Sequence, residues 1–275
     1  MLPELMCLLT FAWEMHEQWR LVLVANRDEF HQRPSRSADF WEDAPCVYAG
    51  RDLKAGGSWM GLNLHGCWAG VTNYREPQRP SPAAPSRGRL VTEYLTGGYF
   101  GAEAYTKHLR HALPLYPAVN MVYGDSSGVW YAGNRADDRP RRLGSGIYGL
   151  SNHLLDTPRP KVLAARRFMG QWLKQSSDPA ALMDQMHDQT FAPDFLLPTT
   201  GVGVELERFL SPVFVRSPAY GTRSTTLLML DRDGNAQFME RCYNEQGSMV
   251  ETRDRFLTLG DWDSSDLRGF FLIMA

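Results

Sequence analysis

The sequence predicts an α+β fold in which stacked antiparallel sheets are flanked by helices. Predicted strands lie mainly toward the two ends of the chain, and predicted helices lie mainly in its middle. Residues 21–25 (Leu-Val-Leu-Val-Ala) are apolar at consecutive positions, so this strand must be covered on both faces. Amphipathic helices on one side and a second sheet on the other would provide that cover.

Eight strands are predicted from short apolar runs and from the turn residues between them. They cover residues 7–12, 19–26, 58–64, 67–73, 119–123, 129–132, 225–231 and 236–241. Polar residues 14–18 separate the first two strands, which predicts a hairpin. Gly66 and Gly234 lie between the strands of two further pairs, and glycine accepts the positive φ that tight turns require.

Four helices are predicted between the strand groups, over residues 90–95, 103–113, 161–174 and 180–186. In the third, Val162, Ala165 and Trp172 fall on one side at helical spacing. Pro160 stands just before that helix, where a helix start tolerates proline. Asp178 precedes the fourth helix and is a favourable N-cap residue.

Composition excludes several classes of protein. The chain has 275 residues, of which 43% are hydrophobic and 22% charged, as in a globular protein with a buried core. Its net charge of −2 provides no positive field for binding nucleic acid. No apolar run reaches the roughly 20 residues that a membrane-spanning helix needs. Since no secretory signal is recognisable, we expect a soluble, cytoplasmic protein with reduced cysteines.

Neither a metal site nor a resident cofactor is expected. Cys7, Cys46, Cys67 and Cys242 are irregularly spaced, and no CxxC or HExxH motif occurs. These thiols are therefore interpreted as free side chains, most simply as core or surface residues.

Cys7 and Arg27 are predicted to lie opposite each other in the first hairpin. A turn centred on residue 17 pairs these two positions, which places their Cβ atoms about 5 Å apart on one face. A guanidinium so close would favour the thiolate of Cys7. Strand alternation sends Asp28 to the opposite face, or to a loop if the strand has already ended. A slip of one residue would destroy this arrangement.

Cys7 directly follows Met6, which raises the possibility of an N-terminal nucleophile. If translation starts at Met6, removal of that methionine leaves Cys7 with a free α-amine. This amine has a pKa near 7.7 to 8.0, so it can accept the thiol proton. The competing interpretation is that Cys7 packs in the core as a small apolar residue of a strand.

Several motifs resemble those of a known family. They are Asn26-Arg27-Asp28-Glu29-Phe30, Arg33-Pro34, Gly57-Ser58-Trp59-Met60-Gly61, Thr72-Asn73-Tyr74, Arg87-Gly88, Gly149-Leu150-Ser151-Asn152, Tyr220-Gly221-Thr222-Arg223-Ser224-Thr225-Thr226 and Glu240-Arg241. In this order they resemble the NRDE family, the transport-and-Golgi-organisation type proteins. Members of that family typically begin Met-Cys, which implies that residues 1–6 are an extension or a mis-called start. A single domain is then expected over residues 7–275.

The family in turn is similar to the N-terminal-nucleophile hydrolases, which implies a four-layer αββα sandwich. Within that group it resembles the penicillin V acylase and bile-salt hydrolase branch, whose nucleophile is an N-terminal cysteine. The resemblance implies site roles for Cys7, Arg27, Asn73 and Asn152, with Asp28 or Glu29 as the acid that holds the amine. Arg223 is implied as a late arginine of the site.

We therefore expect a hydrolase or acyltransferase that acts on a small amide or acyl substrate through Cys7. The alternative is a carrier or chaperone for haem, lipid or acyl-CoA, in which His65, His153 or Cys67 could ligate iron. A membrane-trafficking module is a third interpretation, but no basic amphipathic helix is recognisable. Asn73 and Asn152 also have a simpler interpretation as turn caps after strands. Arg27-Asp28-Glu29 could equally be a solvated charge cluster or an internal salt-bridge lock.

Overall fold

The computed structural model describes residues 7–76, 81, 83–99, 101–135, 139–175 and 178–260. Residues 1–6, the predicted extension, lie outside these ranges, so the division into extension and single domain stays a prediction. Within them the chain forms thirteen strands, five α-helices and two short 3-10 helices.

The elements follow one another in this order. They are β1 (Cys7–Trp13), β2 (Trp19–Phe30), β3 (Ser35–Trp41), β4 (Ala44–Asp52), β5 (Met60–Asn63), β6 (Trp68–Asn73), α1 (Gly88–Thr96), α2 (Gly101–Ala112), a 3-10 helix (Leu113–Leu115), β7 (Val119–Asp125), β8 (Gly128–Gly133), β9 (Arg141–Leu143), β10 (Gly146–Leu150), α3 (Pro160–Gln175), α4 (Pro179–Gln185), a 3-10 helix (Asp194–Leu196), α5 (Val204–Phe209), β11 (Tyr220–Asp231), β12 (Asn235–Tyr243) and β13 (Met249–Thr258).

The strands form two antiparallel sheets. The first has six strands in the spatial order β10-β1-β2-β11-β12-β13, and the second has seven in the order β3-β4-β5-β6-β7-β8-β9. Hairpins join most neighbours, but β10 and β11 return to β1 and β2 from far along the chain. The first sheet is therefore built from both ends of the sequence.

Three apolar clusters separate four layers of structure. Between the sheets, Phe11 and Leu23 of the first pack with Trp68 and Val122 of the second. Another cluster joins the second sheet to α1 and α2, and a third joins the first sheet to α3 and α4. The predicted four-layer αββα sandwich of antiparallel sheets is confirmed.

All eight predicted strands and all four predicted helices are present, with ends shifted by a few residues. Five further strands and α5 have no counterpart among the predicted elements. Four of these five strands, β3, β9, β10 and β13, are the edge strands of the two sheets. Edge strands bury less apolar surface and carry more charge, so the apolar pattern that predicts a strand is weak there.

The register of the first hairpin is confirmed, because Cys7 lies opposite Arg27 in the pairing of β1 with β2. Strand β2 continues to Phe30, so Asp28 remains within the sheet and lies opposite Thr222 of β11. Side chains alternate between the two faces of a strand, so Cys7 and Arg27 lie on the face that packs against the second sheet. Asp28 lies on the other face, toward the helix layer. None of the described helices is long and apolar enough to cross a membrane.

Candidate functional site

A polar cavity of about 410 Å³ opens where β1 begins and where β2 and β6 end. Its walls include Cys7, Arg27, Asp28 and Asn73, and Trp59 from the segment before β5. We call it the main cavity. It brings together four of the predicted site residues, which come from three strands in two different sheets.

Cys7 is held at the first position of β1 but its thiol is not activated. The residue is half-buried, and its carbonyl oxygen accepts a hydrogen bond from Ser151 Oγ at 3.2 Å. Burial raises the pKa of Cys7 to about 12, and the negative charge of Asp28 contributes in the same direction. Arg27 lowers the pKa of Cys7, but by less than these two effects. The expected activation of the thiol by Arg27 alone is therefore outweighed, and the thiol stays protonated at neutral pH.

Asp28 is fully buried and forms an ion pair that the sequence did not indicate. Its Oδ1 accepts a hydrogen bond from Thr222 Oγ1 at 2.6 Å, and its Oδ2 lies 3.6 Å from Lys161 Nζ of α3. Burial raises the pKa of Asp28 to about 6, although Lys161 and Thr222 both lower it. Burial likewise lowers the pKa of Lys161 to about 8. Neither Asp28 Oδ2 nor Lys161 Nζ has a hydrogen-bond partner among the described residues.

Lys161 is a residue of this site that sequence reasoning missed. In the sequence it is the second residue of an amphipathic helix, where a lysine ordinarily points to water. Only the packing of α3 on the first sheet turns its side chain inward, to 2% exposure. Lysine has a long apolar stem that such packing can cover, but no local pattern signals it.

Arg27 lies between the two sheets with 5% of its surface exposed. Its guanidinium stacks on the Trp59 ring at 4.2 Å from the centroid, and its Nη1 donates to Ser35 Oγ at 3.4 Å. Stacking of this kind holds a guanidinium in a fixed plane at low cost in side-chain entropy. Arg27 thus forms part of the wall of the main cavity.

Asn73 lies in the main cavity, whereas Asn152 lies behind it. Asn152 Nδ2 donates to the carbonyl oxygen of Asn73 at 3.0 Å, and Asn152 Oδ1 accepts from Ser151 Oγ at 3.0 Å. Asn152 borders a small separate space that it shares with Lys161. Its amide is therefore engaged in positioning the end of β6, and Asn73 is the asparagine that lines the main cavity.

The two candidate acids differ in environment, although both border the main cavity. Glu29 is near the rim, with Oε2 3.5 Å from Arg33 Nε, and it is partly exposed. Asp28 is fully buried beside Lys161. The buried carboxylate is the one whose charge acts on the Cys7 thiol more strongly.

Arg223 is not brought into the main cavity. It occupies a β-bulge in β11, between the pairs Thr222–Asp28 and Ser224–Arg27. Its Nη1 donates to the carbonyl oxygens of Phe30, His31 and Arg33 at 3.0 to 3.1 Å. Arg223 therefore fastens the turn that follows β2, and it borders a smaller neighbouring cavity.

The candidate iron ligands do not form a site. Both ring nitrogens of His153 are engaged, with the hydroxyls of Tyr74 at 3.1 Å and Thr157 at 2.9 Å. Cys67 is fully buried in the apolar cluster under α1 and α2. His65 lies in the turn between β5 and β6, remote in the fold from His153. Among the described residues, no group of three or more His, Cys, Asp or Glu side chains is placed to hold a metal ion.

The fold and the site define a class: an αββα sandwich in which a cysteine heads the first strand and borders a polar cavity. The chain belongs to the Transport and Golgi organisation 2 family, whose sequence model matches residues 6–245. The resemblance to the NRDE family, the transport-and-Golgi-organisation type, is thereby confirmed.

Curated relatives support this assignment over nearly the full chain. The Transport and Golgi organization protein 2 homolog of Homo sapiens is 35% identical over 277 residues, which cover 92% of this chain and 99% of that protein. The homolog of Mus musculus is 34% identical and covers 86% and 92% of the two chains. The protein of Drosophila melanogaster is 26% identical and covers 86% and 91%.

Two solved structures are similar at low sequence identity. One is a Caenorhabditis elegans ortholog of N-acylethanolamine-hydrolyzing acid amidase, with 10% identity and a TM-score of 0.48, over 81% of this chain and 92% of that one. The other is a mutant of the conjugated bile acid hydrolase from Clostridium perfringens, with 9% identity and a TM-score of 0.49, over 94% and 100%.

Proposed function

We propose that this protein is a cysteine hydrolase or acyltransferase of the N-terminal-nucleophile type, acting on a small amide or acyl substrate. Cys7 is the nucleophile once the residues before it have been removed. The observation that carries the proposal is the convergence of Cys7, Arg27, Asp28 and Asn73 on one polar cavity. A cavity with a few convergent polar groups and a titratable residue of perturbed pKa is the usual form of an active site.

The high pKa of the Cys7 thiol supports a requirement for a free α-amine. With a pKa raised to about 12, the thiol is protonated at pH 7. The neighbouring side chains therefore supply too little activation for nucleophilic attack. A free α-amine on Cys7 would provide a base on the same residue, and Asp28 Oδ2 is a buried acceptor that could hold the corresponding ammonium.

The reaction then proceeds by acyl transfer through a thioester. The thiol proton passes to the α-amine, and the sulfur attacks the substrate carbonyl carbon. The resulting oxyanion accepts hydrogen bonds from the side-chain amide of Asn73. Cleavage of the C–N bond releases the amine, which takes the proton from the α-ammonium. Water, or another acyl acceptor, gives its proton to the α-amine and attacks the thioester, which regenerates the thiol.

The other residues position these groups. Arg27 fixes the wall opposite Cys7 through its stack on Trp59, and Asn152 holds the main chain of Asn73. Lys161 balances the charge of Asp28 from the helix layer. Arg223 contributes only by fastening the turn after β2.

The test compares the full chain with a chain that starts at Met6, from which removal of one methionine exposes Cys7. Intact-mass measurement establishes the first residue of each, and a panel of N-acyl amides with a fluorogenic amine reports turnover. Only protein that begins at Cys7 should turn over. Cys7→Ala should abolish turnover, Asn73→Ala should lower it about 100- to 1,000-fold, and Cys46→Ala should leave it unchanged.

Two results would overturn the proposal. One is turnover by protein whose mass shows that residues 1–6 are retained. The other is a lack of turnover, across the panel, by protein whose mass shows Cys7 at the N-terminus. In the second case, titration of the Cys7→Ala variant with haem and with acyl-CoA decides whether the protein is a carrier, because carrier binding would not require the thiol.

A further inference from the structure

A second, smaller cavity of about 110 Å³ lies on the other side of Arg27 and Trp59 from the main cavity. Both residues line both cavities, so their stacked side chains form a shared wall. The remaining walls include Ser224 of β11, Cys242 of β12 and Ser37 of β3. We call this space the side cavity. It lies between the two sheets, because β3 belongs to one sheet and β11 and β12 to the other.

Two buried polar groups at the side cavity have no hydrogen-bond partner among the described residues. Ser224 is 3% exposed, and its Oγ neither donates nor accepts. Trp59 Nε1, a donor only, is likewise without an acceptor. Buried polar groups are nearly always paired, so two such groups beside one cavity require an explanation. A ligand that accepts hydrogen bonds would satisfy both.

The charge around the side cavity is predominantly positive. Arg27, Arg36 and Arg223 line it together with one carboxylate, that of Glu240. Arg27 is 95% buried and has no direct ion pair among the described residues, although the charge of Glu240 acts on it from the same cavity wall. Burial lowers the pKa of Arg223 on the same cavity, and the charge of Arg27 contributes in the same direction. A buried cation without a counter-charge is costly, and a second guanidinium beside it adds repulsion.

The carboxylate of Glu240 does not neutralise these cations by an ion pair. Its Oε1 accepts a hydrogen bond from the Ala38 N–H at 2.7 Å, and its Oε2 accepts one from Thr226 Oγ1 at 3.0 Å. Burial raises the pKa of Glu240, although Arg27 acts in the opposite direction. Glu240 thus joins β12 to β3 across the two sheets, and its oxygens are engaged there.

We propose that the side cavity is a binding site for a small carboxylate group, held by the guanidinium of Arg27 and by Ser224 Oγ. A carboxylate has only acceptor oxygens, which matches the donors of Arg27 and Ser224, and it would form the direct ion pair that Arg27 lacks among the described residues. The volume is that of about three to four water molecules, enough for a group the size of acetate. This site is independent of whether Cys7 acts as a nucleophile.

The first experiment measures thermal unfolding of the full chain with sodium acetate, sodium phosphate and sodium chloride at one ionic strength, and with acetamide added to the sodium chloride solution. Acetate should raise Tm in a saturable way, because it binds the folded state only. Acetamide has the same shape without the charge and should have no effect. Equal shifts with acetate and chloride, or with acetate and acetamide, would overturn the proposal, and a larger shift with inorganic phosphate would overturn the assignment to a carboxylate.

The second experiment uses Ser224→Ala, with Ser145→Ala at an exposed position as its matched control. Removal of an unsatisfied buried hydroxyl should raise Tm in the absence of acetate, since the cost of its burial disappears. The same change should weaken acetate binding about tenfold or more, because a hydrogen bond to a charged acceptor is lost. Ser145→Ala should change neither quantity. A Ser224→Ala protein that binds acetate as tightly as the unaltered chain would overturn the proposal.

The third experiment needs no variant and therefore does not depend on folding of Ser224→Ala. Cys242 lines the side cavity and Cys46, also half-buried, does not. Alkylation by iodoacetamide is followed at each cysteine by peptide mass spectrometry, with and without saturating acetate. Acetate should slow alkylation of Cys242 severalfold and leave the rate at Cys46 unchanged. Equal rates at Cys242 in the two conditions would refute occupation of the side cavity.

Discussion

Two ion pairs among the described residues are almost fully buried, and their polar atoms are satisfied to different extents. In the pair of Arg75 with Glu207, Nη1 lies 2.9 Å from Oε2, and the other glutamate oxygen accepts hydrogen bonds from the main chain and hydroxyl of Thr200. In the pair of Lys161 with Asp28, the charged atoms are 3.6 Å apart and lack a hydrogen bond to each other.

The pair of Arg75 and Glu207 is a structural lock, an ion pair whose polar atoms serve to hold two segments together. The pair of Lys161 and Asp28 retains polar atoms that such a lock would not leave unpaired. The pair of Arg75 and Glu207 fastens α5 to the chain just beyond β6, and its geometry meets the conditions under which a buried pair is retained. In the pair of Lys161 and Asp28, one carboxylate oxygen and the ammonium have no hydrogen-bond partner among the described residues, and Asp28 borders the main cavity. Unsatisfied buried atoms also occur elsewhere, for example at Trp68 and Gln185, so this pair stands out by its position beside the cavity and not by the missing hydrogen bonds alone.

The largest loss of stability is expected from a substitution in the pair of Arg75 and Glu207. Glu207→Leu removes the carboxylate that lies 2.9 Å from the buried Arg75 Nη1 and the acceptor for Thr200, so we expect a loss of about 3–5 kcal/mol in the free energy of unfolding. Denaturation by urea measures it, and Glu205→Leu, an exposed position of the same helix, is the control with a change within about 0.5 kcal/mol. A loss below about 1 kcal/mol at Glu207 would mean that this pair is not a lock.

The pH dependence of the free energy of unfolding tests the pair of Lys161 and Asp28. Asp28 has a pKa of about 6 in the folded protein, above the ordinary value of 3.8. Between these values the folded protein binds a proton that the unfolded chain does not, so stability falls as pH rises through this window. Asp28→Asn removes this slope, a difference of up to about 3 kcal/mol across the window. Parallel curves for the two proteins in urea titrations from pH 3.5 to 6.5 would contradict the raised pKa.

The same substitution should change the reactivity of Cys7. The charge of Asp28 raises the pKa of the thiol, so its removal lowers that pKa and increases the thiolate fraction. We expect Asp28→Asn to speed alkylation of Cys7 by iodoacetamide about fivefold at pH 8, with the rate at Cys46 as the internal reference. An unchanged or slower rate at Cys7 would show that Asp28 does not act on the thiol.

The smallest effect concerns the hydroxyl that holds Asp28. Thr222→Val removes the bond to Asp28 and the acceptor of the Val215 N–H. Thr225→Val, on the same strand, likewise removes a buried bond to Asn26 and the acceptor of the Tyr243 hydroxyl. Each should cost about 1 kcal/mol or somewhat more in stability. Only Thr222→Val should also raise the pKa of Asp28 and move the acid slope of the stability curve to higher pH. Identical acid slopes in the two variants would argue against a specific role for Thr222.

The sequence predicted those parts of the fold that depend on local patterns. Residues 21–25 indicated a strand covered on both faces, and the turn between β1 and β2 set the alignment of Cys7 with Arg27. Strand β13, with exposed Met249, Val250 and Phe256 among charged neighbours, has no such pattern because it forms the edge of its sheet.

Residues that belong to sequence motifs could be predicted to line the main cavity. Residues whose position depends on how a helix packs on a sheet could not. Cys7, Arg27, Asp28 and Asn73 were found from hairpin geometry and from the family resemblance. Lys161 was not predicted because its burial results from the docking of a helix on a sheet. Arg223 borders the side cavity and not the main cavity, and nothing in its motif reveals the bulge in β11 that places it there.

Because of that bulge, β11 can contain one residue more or fewer at position 223 without a change in its pairing with β2. Thr222 and Ser224 pair with Asp28 and Arg27, which are adjacent in β2. Arg223 is therefore an extra residue with no position opposite it in β2. We expect a chain from which Arg223 is deleted to keep both alignments and to lose the anchor of the turn after β2 and one guanidinium of the side cavity. Deletion of a regularly paired neighbour would instead turn part of the strand over. The bulge therefore holds one extra residue while the residues on either side of it keep their register with β2.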